Sequence, residues 1–93
     1  LKIAIRDLNK NDISKRNLPK NTTGVVVTEI SEGSPLMFVS VNDVIVELQK
    51  KKVVNSTQFS KIVNDIINKG QKTLLFAIYN SNNQRSYITV KLK

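Results

Sequence analysis

Near its start the chain alternates: Ile3 and Ile5 are separated by Ala4 and flanked by Lys2 and Arg6. A period of two predicts a half-buried strand running from Leu1 towards Leu8. The stretch from Asn9 to Thr23 is mostly polar, with Asp12 placed to cap a short helix that Pro19 excludes. Gly24 opens a strand rich in β-branched residues through Ile30, and Glu32-Gly33-Ser34-Pro35 breaks it. Leu36 to Val39 reads as one apolar helical turn. Asn42-Asp43 then leads into a strand over Val44 to Leu48, with Val44, Val46 and Leu48 expected on one face and Ile45 and Glu47 on the other. Lys50 to Lys52 forms a polar corner before a short Val53-Val54 strand.

The clearest helix follows. Phe59, Ile62, Val63, Ile66 and Ile67 recur at the spacing that lays an apolar stripe along one face. Asn55 or Ser56 is placed to cap its start and Gly70 to end it. Lys72 to Tyr79 is a strand with Leu74, Phe76 and Ile78 on one side, and Asn80-Ser81-Asn82-Asn83 is a hairpin turn. The return strand turns Ile88, Val90 and Leu92 inward and Tyr87, Thr89 and Lys91 outward. These elements predict an α+β domain: five or six short strands in a mostly antiparallel, partly open sheet, with one long and one short helix.

Composition narrows the chemistry. The 93 residues, 40% of them hydrophobic, suit a single domain spanning 1–93. The sequence has no cysteine and no histidine. Disulfides, thiolate metal sites, imidazole bases and the Ser-His-Asp triad are thereby excluded. Ser34 and Ser56 have no histidine partner, and Asp43 and Glu47 read as surface or turn carboxylates. No catalytic residue, metal site or cofactor is expected.

The net charge of +8 brings nucleic acid or an anionic surface into view. The bases are scattered, however, and of 15 only Arg6, Arg16 and Arg85 are arginines, the residue that grips bases and phosphates bidentately. Lys50-Lys51-Lys52 falls in a turn, and aromatic residues are few. Nucleic-acid binding is therefore not the expected role. No apolar run approaches the roughly 18 residues of a membrane span. A start at Leu1, with no signal-like segment, suggests a module excised from a longer protein.

A sheet edge beside an amphipathic helix forms a groove in which an extended peptide adds as a further strand. The order Gly24-Val-Val-Val-Thr-Glu-Ile-Ser-Glu-Gly-Ser-Pro35, followed by Asn42-Asp-Val-Ile-Val-Glu-Leu48, resembles the PDZ domains of bacterial Do/HtrA (Deg) family serine proteases. Val53-Val-Asn-Ser-Thr-Gln-Phe59 is similar to that family's entry into its groove helix, and the likeness extends over nearly all 93 residues.

The resemblance implies a non-catalytic module that binds extended or C-terminal peptide segments of unfolded proteins. The parent would be a periplasmic or envelope protease whose catalytic domain is a separate one. It places Leu1-Lys2-Ile3 where the family carries its Φ-Gly-Φ carboxylate loop. Ile3 and Ile5 would face the terminal-residue pocket, and Ala4 would offer main-chain pairing. Ser56, Ser60 and Val63 would line the helix side, with Phe59, Ile62 and Ile66 turned to the core.

Three departures stand out. Lys2 takes the loop's glycine position, Asn42 stands where a glycine usually precedes the aspartate, and Gln49-Lys50 replaces an Asn-Gly corner. Such erosion resembles the second, C-terminal PDZ domain of these proteases, which implies an alternative role in oligomer assembly or contacts with other domains.

Overall fold

In a computed structural model, residues 2–34 and 39–92 are described. Leu1 and the predicted turn at Leu36, Met37 and Phe38 lie outside them. The elements run β1 (Ile3–Asp7), α1 (Lys10–Arg16), β2 (Val25–Ile30), β3 (Val44–Leu48), β4 (Lys51–Lys52), α2 (Ser56–Asn68), β5 (Thr73–Tyr79) and β6 (Arg85–Lys91). The strands form one antiparallel sheet in the order β1-β2-β3-β5-β6, with β4 paired to β3 off that path. The sheet does not close, so β1 and β6 are its edges. The expected α+β architecture with one long and one short helix is what forms.

The main core lies where α2 covers the sheet. Phe59, Val63 and Ile66 of the helix meet Val25, Val27, Ile45, Leu48, Leu74, Phe76, Ile78 and Val90 of the strands. The ring centroids of Phe59 and Phe76 are 6.2 Å apart in a stacked pair. A smaller cluster of Val26, Val44, Val46 and Ala77, joined by Leu8 and Tyr79, fills the opposite face of the sheet.

This division corrects the expected facing of β3. A register shift between Ile45 and Glu47 sets one extra residue into the strand against β5. Ile45 and Leu48 therefore enter the main core, whereas Val44 and Val46 face the other way. Glu47 stands opposite Ala77 and pairs with Arg85 at 2.7 Å. Gly24 is required where β2 meets β3, because a Cβ there would lie 2.3 Å from the Ile45 carbonyl oxygen.

Two local expectations also shift. The short helix is capped by Asn9, whose side chain accepts from the Asp12 N–H, while the Asp12 carboxylate accepts from the Asn9 N–H at 2.9 Å. Asp12 is thus the third-residue partner of a capping box, in the first turn of the helix, a spacing visible as Asn9-x-x-Asp12. The expected Val53-Val54 strand forms two residues earlier, at Lys51–Lys52, and leaves Val53 buried in the core.

Asp12 also receives both guanidinium nitrogens of Arg6, at 2.7 and 2.8 Å, which ties α1 to β1. That fork holds its carboxyl at about 2, below the ordinary carboxylate range. With the folded value below the unfolded one, the stabilisation is complete above the ordinary carboxylate range and is lost as pH falls towards about 2. Asp12→Ala is expected to lower unfolding stability by about 1–3 kcal/mol in urea titrations at pH 7. Its stability should also fall less steeply than the parent's between pH 4 and pH 2.

Candidate functional site

β1 pairs with β2 along one side only, and α2 lies beside its other side. The main chain of β1 alternates in direction. The Lys2 carbonyl accepts from Ser31 N–H at 2.9 Å, and the Leu8 N–H donates to the Gly24 carbonyl at 3.0 Å. Even-numbered residues therefore point into the sheet. By strand alternation, the main-chain groups of Ile3, Ile5 and Asp7 point to the open edge. The expectation that Ala4 offers main-chain pairing is corrected on this ground: Ala4 stands opposite Glu29 with its main chain turned towards β2, and its side chain is exposed. Ile3 and Ile5 present the unpaired groups.

The side chains of Ile3 and Ile5 are half-buried and pack against the core cluster that contains Phe59 and Val63. They form an apolar floor between strand and helix. Val63 is 6% exposed and belongs to that core, not to an open wall. It shares the buried stripe with Phe59 and Ile66 because the three recur at helical spacing. Ile62 packs against the core in part, while Ile67, at the end of the stripe, is 45% exposed. Ser60 is exposed and Ser56 half-buried, so the helix offers small polar groups rather than bulk.

Lys2 bends the chain at the entrance to β1. Its φ of 57° is left-handed, the conformation that favours glycine. The glycine-like bend is therefore present although the glycine is not, held by the bond from Ser31 to the Lys2 carbonyl. The Lys2 ammonium lies beside Gly33, 3.4 Å from where a Cβ on that residue would sit. It leans over the turn after β2.

Asp7 stands at the other end of β1. Its carboxylate accepts the Ser56 N–H at 2.7 Å, joining the last residue of β1 to the first turn of α2. That bond holds the Asp7 carboxyl below the ordinary range. Sequence reasoning missed this residue. The available signal was parity, since Asp7 continues the Ile3 and Ile5 positions on the same strand face. Among the described residues, no group of three or more acidic side chains is arranged to hold a metal ion.

No protein-family model matches the chain, and no curated protein sequence matches it. Among solved structures it superposes on the HtrA3 PDZ domain crystallised with a phage-derived ligand, FGRWV, with a TM-score of 0.69 and 18% identity. The match covers 98% of this chain and 79% of that one. At that identity the likeness is one of fold: the chain has the PDZ architecture.

The left-handed bend yields a direct stability test. A β-branched residue tolerates positive φ poorly, so Lys2→Val is expected to lose about 1–2 kcal/mol in urea unfolding. Lys2→Gly should equal or exceed the parent, by up to about 1 kcal/mol.

Proposed function

We propose that this domain binds extended or C-terminal peptide segments by strand addition to the open edge of β1. The observation that carries this reading is the outward row of Ile3 and Ile5 main-chain groups above an apolar floor, beside α2. A peptide antiparallel to β1 would exchange main-chain hydrogen bonds with those two residues. One apolar side chain would settle on Ile3 and Ile5, and the terminal carboxylate would approach the amides at the Lys2 bend. The HtrA3 PDZ domain, of the same fold, was crystallised bound to a phage-derived ligand, FGRWV, which supports a peptide-binding role.

The domain would act by binding alone, since a chain without histidine or cysteine has no evident source of general-base activation. We place it within an HtrA/Do-type serine protease of the periplasm or cell envelope, as a module that presents unfolded segments to a separate catalytic domain. Support for that parent comes from the Gly33-Ser34-Pro35 and Asp43-Val44-Ile45 segments and from the shared fold. A shallow floor with few anchors suits weak association, about micromolar or poorer, near −8 kcal/mol.

The test uses the peptide FGRWV, followed through amide chemical shifts of the domain. Saturable shifts are expected in β1 and α2, weakened about tenfold or more when the peptide carries a C-terminal amide in place of its carboxylate. Ile5→Lys should abolish those shifts while keeping a dispersed spectrum, because Ile5 lies at the edge of the core. Unaltered affinity in Ile5→Lys would overturn the strand-addition reading.

A further inference from the structure

Asp7 differs from the other acidic residues in where it stands. Asp12 is gripped by Arg6, Asp43 is buried against the Ser40 N–H, and Glu47 is paired with Arg85. Glu29 stands opposite Ala4, whose side chain takes the other face of β1, and Glu32 lies in the turn after β2. Asp65 sits beside Gln49, Lys51 and Lys69, on the flank of α2 facing the β3–β4 turn. Among the described residues, this leaves Asp7 as the carboxylate on the groove face of β1. It is exposed, and the Ser56 N–H fixes one of its oxygens. A carboxylate accepts several hydrogen bonds, so the group retains capacity towards a ligand. As an exposed carboxylate it is ionised at neutral pH.

The register of strand addition then names the ligand position. Opposed residues of antiparallel strands share a face and lie side by side. With the terminal residue opposite Ile3, the third from the end falls opposite Ile5, and the fifth from the end opposite Asp7. The span from Ile3 to Asp7 is about 13 Å at ~3.3 Å per residue. We propose that Asp7 makes the groove select segments with Lys or Arg at the fifth position from the C-terminus. This inference rests on the peptide-binding reading above and adds a specificity determinant to it. It also opposes the net charge of +8, which by itself favours an acidic ligand.

That opposition makes the test decisive. Two acetylated peptides, acetyl-Lys-Ala-Ala-Ala-Val and acetyl-Glu-Ala-Ala-Ala-Val, are titrated into the domain at low salt and followed by amide shifts. The lysine peptide is expected to bind at least about threefold tighter. In Asp7→Asn, whose amide oxygen still accepts from Ser56, the preference should vanish or reverse in favour of glutamate, while the valine end still binds. Equal affinities or a glutamate preference in the parent, or a lysine preference surviving in Asp7→Asn, would overturn this inference and leave the groove reading standing. Binding of neither peptide would overturn both.

Discussion

One edge of the sheet is left open, and the molecule holds it in place without covering it. β1 has a strand neighbour on one side only, and its other side faces α2 across an apolar floor. An exposed edge is ordinarily a hazard because its row of unpaired N–H and C=O groups invites other chains. Here the strand is fastened at each point that does not occupy the edge. Ser31 holds the Lys2 carbonyl, Arg6 grips Asp12 of α1, and Asp7 takes the first N–H of α2. In the proposed binding mode, strand and helix would thereby stand fixed as two walls beforehand, and little of the binding free energy would go into ordering them.

The same economy of position explains the residues at the bends. Lys2, Gln49 and Lys50 all adopt positive φ, where glycine or asparagine would be easier. Each bend is held by its surroundings. Gln49 bonds β5 through its own N–H to the Leu75 carbonyl at 2.8 Å, and its side-chain oxygen receives the Leu75 N–H at 2.7 Å. With two successive left-handed residues, the corner behaves as the tight hairpin that Asn-Gly commonly makes. At Lys2 the Ser31 bond plays the corresponding part. Loss of the glycine therefore changes the cost of the bend and not its shape.

Much of this was legible in the sequence. The stripe from Phe59 to Ile66 placed α2, and the alternations Leu74-Phe76-Ile78 and Ile88-Val90-Leu92 placed the terminal hairpin with its faces correct. Strict alternation failed at β3, because a bulge leaves no mark among five consecutive residues that are mostly apolar. Asp12 was misjudged because a capping box contains two polar residues and either can pass for the cap. Along β1, the half-burial of Ile3 and Ile5 followed from the period of two, whereas Ala4 was assigned the main-chain role of its neighbours, since side-chain pattern does not say which carbonyls point outward. The tie between Asp7 and Ser56 joins residues 49 positions apart, and no local rule reaches that distance.

Amide hydrogen exchange along β1 tests the central claim most directly. In the free domain the Ile3 and Ile5 amides should exchange rapidly while Arg6 and Leu8 are protected, and peptide should slow Ile3 and Ile5 with little change at their neighbours. Ile3 and Ile5 amides already protected in the free domain, or still fast when peptide is bound, would contradict strand addition at this edge.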